Sequence, residues 1–286
     1  MMKRAPLLLL IVMALTSLLQ VASTPKPVKP PIGAQIRWGD PITEGLVEAL
    51  VMNEGGGRHL TDLVKGRVFT GQSSAGGWAV SSQNTGPSFV GAANYRYQSA
   101  NTYTFNAPDP NKISFAVGMM PAALAGRMTL YTSTAAGTAG GIQVESDVGG
   151  IMQTIVPGTF VSGTSTGALV AGRPAQVIYS RLDTGDNHRW MVDGRVNDKI
   201  VLGGEATAYV SVTDTHYVGE RAASQYWNGH IYYIYWWNRP LSIEEANRLA
   251  VDPYCFLTNP NNWLTRFTNV VAGATANTSF FRRRVQ

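Results

Sequence analysis

Along most of the chain, apolar residues alternate with polar ones instead of recurring at helical spacing. The pattern is clearest at residues 112–119, KISFAVGM, where Ile113, Phe115 and Val117 fall on one face of an extended segment. Comparable short runs occupy 45–52, 78–80, 87–89, 101–105, 127–131, 141–145, 153–156, 175–182, 188–192 and 217–219. In the middle of the chain, turns of Gly, Ser and Thr separate them at roughly 8 to 12 residues, which is the spacing of a β-sandwich. Asp193-Gly194 and Asn228-Gly229 carry the strongest short signal for a two-residue hairpin turn. The second should lead into a strand over 230–237, HIYYIYWW, which is almost entirely β-forming. Beyond it the period changes. Ser242 stands three residues before Glu245, the capping-box spacing, and Ile243, Ala246, Leu249 and Ala250 share one helical face until Pro253 intervenes. The expected fold is all-β and antiparallel, a two-sheet β-sandwich with one short C-terminal helix.

At 286 residues and 44% hydrophobic content, the chain can bury one sizeable core or two small ones, and 30 Gly with 15 Pro favour many short strands. Residues 1–23 open with Lys3 and Arg4, continue through an apolar run from Ala5 and close on Val21-Ala22-Ser23, the layout of a cleaved signal peptide. An uncleaved anchor is the alternative, although an apolar run of about 15 residues is short against the roughly 20 that span a bilayer. Residues 24–31, TPKPVKPP, read as a stiff extended spacer, so 24–40 is expected to be a Pro-rich linker. The sandwich should occupy 41–254, and a C-terminal tail 255–286.

The formal charge of +5 suggests an anionic partner until it is located. Seven basic residues lie at the two ends, Lys3, Arg4, Lys26, Lys29 and Arg282-Arg283-Arg284, which leaves 16 basic against 18 acidic residues between them, or −2. A nucleic-acid partner is therefore not expected. Only 14% of residues are charged, against about 25% in ordinary soluble proteins. Ser, Thr, Asn, Gln and Gly take their place, as suits glycan contact. Cys255 is the only cysteine, so no intrachain disulfide can form.

Three segments in this order resemble the laminin G-like, concanavalin A-like lectin-glucanase jelly roll. The first is Asn53-Glu54-Gly55-Gly56-Gly57 with Asp62-Leu63 shortly after, and the second is AQVIYSRLDTGDNHRWMVDGR at 175–195. The third is WNGHIYYIYWWNRPLSIEEANRLAVDPY at 227–254. The resemblance covers about three quarters of the chain and implies a jelly-roll sandwich that hosts lectins, adhesion modules and hydrolases alike. It also implies a calcium ion at a loop rim, for which Asp183, Asp186 and Asn187 are the candidates, although the same run is ordinary turn chemistry.

Catalysis would need paired carboxylates. The glycanases of this group carry Glu-x-Asp-x-x-Glu on one strand, and the nearest match here is Glu145-Ser146-Asp147, without the third acid. The four histidines show no metal spacing and there is no GxSxG elbow. No catalytic residue is assigned. For ligand binding, Trp78, Tyr95, Tyr97 and Tyr103 form one aromatic group and Tyr233, Tyr235 and Trp237 a second. The second group is either a stacking platform or a central strand covered by the helix. The expectation is an exported, non-catalytic carbohydrate-binding or adhesion module whose partner is a glycan or a cell-surface protein, with membrane contact only through an uncleaved leader. A structural component of a virion or cell surface, oligomerising through the sandwich, is the alternative; a polysaccharide hydrolase is the least supported.

Overall fold

The computed structural model describes residues 28–258, apart from 73–77, 81–84, 92–95, 101, 105–111, 125, 135–140, 157–158, 183–187, 194, 199–212 and 222–224. Among them the protein is all-β with one α-helix, and every strand pairing is antiparallel. Two eight-stranded sheets carry most of it. The first runs, in spatial order, Thr159–Ala168, Ile151–Val156, Gln143–Ser146, Met128–Thr132, Tyr217–Val218, Tyr97–Ser99, Val68–Gly71 and His59–Thr61. The second runs Arg195–Asp198, His188–Val192, Ala175–Arg181, Ile113–Pro121, Asn228–Trp237, Thr85–Val90 and Trp78–Val80, with Leu46–Leu50 also paired to Asn228–Trp237. Three two-stranded ribbons accompany them, so the expected count of two sheets is exceeded.

Residues from both large sheets share one core. Leu130, Tyr131 and Val144 of the first meet Phe115, Val117, Trp190 and Trp236 of the second. Phe115 lies 5.1 Å from Trp236, and Trp236 lies 5.2 Å from Tyr131, ring centre to ring centre. Each such pair adds about 0.5–1.5 kcal/mol beyond its buried area.

A second core covers the other face of the second sheet. The strand Asn228–Trp237 sends Ile231, Ile234 and Trp236 to the first core and Tyr232, Tyr233, Tyr235 and Trp237 to the second. Two adjacent tyrosines share a face because the register slips between Ile231 and Tyr233. Gly118 makes room for the Tyr233 ring, since a Cβ there would sit 2.3 Å from Tyr233 Cε1. The helix Ile243–Val251 lies over these rings with Ala246 and Leu249 buried, and its predicted capping box is present in both directions between Ser242 and Glu245.

Two boundaries depart from expectation. Asn228-Gly229 makes no hairpin turn but begins the long strand, and Gly229, at φ 137°, stands where a Cβ would meet Met120 O at 2.1 Å. Close backbone approach, not turn geometry, is what requires glycine there. Gln35–Ile36, expected in the linker, pairs with Leu257–Thr258, expected in the tail, and Ile36 joins the second core. Even Lys29 is tied down, donating to the carbonyls of Met52 and Tyr232 at 2.5 and 2.9 Å, and burial lowers it to about pKa 7. Asp193 behaves as predicted, with φ 50° between the paired strands His188–Val192 and Arg195–Asp198.

Candidate functional site

The two large sheets differ on their outer faces. That of the second is apolar and covered; that of the first carries amides and hydroxyls. Register aligns Gln143, Thr132, Tyr217, Gln98, Thr70 and His59 across six adjacent strands. Directly paired residues share a face, and the residues next to them, Val144, Val218, Tyr97, Phe69 and Leu60, belong to the core. The row therefore points outward. At the His59 end it is open: His59 is exposed and Thr70 and Gln98 are half-buried. Thr70 Oγ1 lies 3.3 Å from His59 Nδ1. Arg96 stands 5.0 Å from the Tyr217 ring centre and holds Glu220 at 2.7 Å, so that ring face is already occupied.

At the other end a second aligned set, Gln153, Glu145 and Thr129, lies beside Gln143. All four are buried. Glu145 accepts from the amides of Gln153, at 2.5 Å, and Gln143, with Arg127 at 3.8 Å. Burial raises the Glu145 carboxyl, while Arg127 and the two glutamine amides pull it back. Over this floor lies Gln225, from the short ladder Glu220–Arg221 with Gln225–Tyr226. Its Oε1 accepts from Gln143 Nε2 at 2.9 Å and from Thr129 Oγ1 at 3.2 Å. The Gln143 amide oxygen has no hydrogen-bond partner among the described residues. The hydrogen-bond partners of Glu145 are amides, not a second carboxyl, and Asp147 turns away to accept from Val148 N at 2.6 Å.

A third polar group sits inside, between the sheets. Glu48 Oε2 accepts from Tyr131 OH at 3.2 Å and lies 3.3 Å from Arg67 Nη1; Tyr131 OH also lies 2.8 Å from His216 Nδ1. Asp62, 3.4 Å from Arg67 Nε, accepts from the backbone of Ala49 and Val64. Burial, with Glu48 adding, raises Asp62 to about 6. Closed on every side, this network ties strand to strand and offers no approach to a ligand.

The aromatic residues singled out from the sequence are placed otherwise than as a platform. Tyr233, Tyr235 and Trp237 are buried in the second core, and Trp237 Nε1 donates to Ile42 O at 2.7 Å. Tyr97 is buried in the first core. The causes differ: Tyr233, Tyr235 and Trp237 on the central strand are covered by the helix with the terminal strands, and Tyr97 points between the two sheets. Trp78 is half-buried, its indole donating to Gly57 O at 3.0 Å. Tyr103 lies on the strand Tyr103–Thr104, while Tyr95 and the calcium candidates Asp183, Asp186 and Asn187 lie outside the described residues. Among the described residues no group of three or more His, Cys, Asp or Glu side chains is placed to hold a metal. Sequence reading missed the glutamines, whose signal was present as polar positions of alternating strands.

No family model matches the chain, and no curated protein does. The laminin G-like resemblance of the motifs thus has no family match behind it. Among solved structures the chain is similar to the binding domain of botulinum neurotoxin DC in complex with rat synaptotagmin II, at TM-score 0.52 and 11% identity over 73% of this chain and 52% of that one. The same domain in complex with SialylT gives TM-score 0.51 and 12% identity over 73% and 52%. Trypanosoma rangeli sialidase gives TM-score 0.50 and 15% identity over 87% and 39%. The likeness is one of fold. The chain spans about half of the toxin chains and about two fifths of the sialidase chain.

Proposed function

We propose that this protein is an exported, non-catalytic carbohydrate-binding module, built as a two-sheet jelly-roll sandwich, and that the outer face of the first sheet is its binding surface. The observation that carries the reading is that face itself. Six adjacent strands line up amides, hydroxyls, one tyrosine and one histidine, the donor and acceptor set that sugar hydroxyls match. The helix and the terminal strands cover the second sheet and the Gln225 ladder covers one end of the first, so the His59 end of the first is the part left for a partner. Fold neighbours support the reading, since the toxin binding domain forms complexes with SialylT and with rat synaptotagmin II. Export rests on the leader. Against hydrolysis stands Glu145, which is buried and engaged by the amides of Gln143 and Gln153.

The test is retention of the mature protein on a broad glycan and polysaccharide array, with calcium and with chelator, scoring product release as well. Selective retention without products supports the module, release of products supports a hydrolase, and no retention sinks the glycan reading. One observation favours assembly as a second reading. The strand Thr159–Ala168, TFVSGTSTGA, ends the first sheet with ten residues that include no charge and no proline, and such edges readily pair with another chain. A stable oligomer by light scattering, lost on placing Lys at position 163, would support it.

A further inference from the structure

Resting on the glycan-binding reading, we infer that Gln225 is a built-in occupant of an acetamido subsite, and that Thr129, Gln143, Glu145 and Gln153 beneath it form the seat for an N-acetylated amino sugar. Two donors, Gln143 Nε2 and Thr129 Oγ1, converge on the carbonyl oxygen of the Gln225 carboxamide, at 2.9 and 3.2 Å. An acetamido group presents the same C(=O)–N unit to the same two donors. The buried Gln143 amide oxygen has no partner among the described residues and is left free for a ring hydroxyl of the same sugar. Glu145, held between two amide donors, fixes the Gln143 and Gln153 side chains in place.

Gln225 is able to yield. It is half-buried, and its ladder consists of two residue pairs, Glu220 with Tyr226 and Arg221 with Gln225. A rotation of its side chain vacates the site without moving the sheet. A glutamine that merely staples this ladder to Met128–Thr132 would show the same hydrogen bonds, and the two roles differ in what removal does. An internal occupant competes with ligand, so its removal tightens binding by the reciprocal of the fraction of time the site stands vacant.

The experiment is titration of wild-type protein and Gln225→Ala with N-acetylglucosamine oligomers and with glucose oligomers of equal length. Preference for the acetylated series, with roughly three- to tenfold tighter binding by Gln225→Ala, is the expected result. Thr129→Val and Gln143→Leu should lose that preference, with thermal melting to show that each folds; Thr129→Val serves if Gln143→Leu does not. Equal binding of both series, or weaker binding by Gln225→Ala, overturns the inference. So does a protein that binds neither series yet retains other glycans on the array, which leaves the glycan-binding reading standing. A protein that retains no glycan on the array overturns that reading and this inference together.

Discussion

The outer faces of the two large sheets solve different problems with the same alternating backbone. On the second sheet, outward positions of Asn228–Trp237 hold Tyr233, Tyr235 and Trp237, and three elements cover them: the helix Ile243–Val251, Gln35–Ile36 and Leu257–Thr258. On the first, outward positions hold Gln98, Thr70 and His59, which remain in contact with water. Large rings left exposed would cost hydrophobic free energy at about 25 cal/mol per Å², so the aromatic face demands a cover. Amides and hydroxyls exact no such demand and leave the Gln98, Thr70 and His59 end of that face free for a partner. The most aromatic segment of the chain is thus a matter of stability, and the less conspicuous polar face is where recognition belongs.

The comparison fails if the covered face can be altered without cost. Trp237→Ala should destabilise by about 3–5 kcal/mol, because it opens a cavity among fully buried rings and orphans Ile42 O; the urea midpoint reads it directly. Between the faces, the buried Asp62 sets a pH slope. Its carboxyl is raised from 3.8 to about 6, so the folded state holds the proton more tightly than the unfolded chain. That contribution is fully present below about pH 4 and is lost as pH rises through 6, a change of about 2–3 kcal/mol. Asp62→Asn should flatten this acid-side slope, measured as urea midpoints between about pH 4 and 7.

Smaller effects refine the contrast. Ser242→Ala removes one half of the capping box and should cost about 1 kcal/mol, seen as a lower melting temperature with the fold unchanged. On the open face, Gln98→Ala or Thr70→Val should shift stability by no more than about 0.5 kcal/mol while reducing glycan retention. Loss of stability as large as at Trp237, with retention intact, would reverse the assignment of the two faces.

How much of this was legible beforehand depended on whether a segment carried its own signal. Ile113–Pro121 and Ala175–Arg181 alternate or run apolar, and both were readable as strands. Thr159–Ala168 was not, because its apolar Phe160 and Val161 are adjacent and the rest is Gly, Ser, Thr and one Ala, which shows no alternation and reads as a turn. The short strands Val68–Gly71 and Tyr97–Ser99 escaped for a related reason: four and three residues give too little periodicity to detect. The aromatic residues drew attention as a binding platform, yet exposure is a property of what packs over a residue, and that is absent from local pattern. The glutamines went unremarked because Gln143, Gln153 and Gln225 are separated by as many as 82 positions and meet only through strand pairing and the ladder above it.

What the amino-acid sequence determined alone was local: an all-β chain, the helix with its Ser242–Glu245 cap, the Asp193 turn, and a body close to neutral once the basic ends are set aside. Each follows from interactions within a few residues or from counting charge. Tertiary structure decided the rest. It turned Asn228-Gly229 from a turn into the start of a strand, drew residues 28–40 into the body, buried Tyr233, Tyr235 and Trp237, and brought Thr129, Gln143, Glu145, Gln153 and Gln225 together. Those outcomes depend on register and on which layer covers which face, free energies that exist only when distant segments pack.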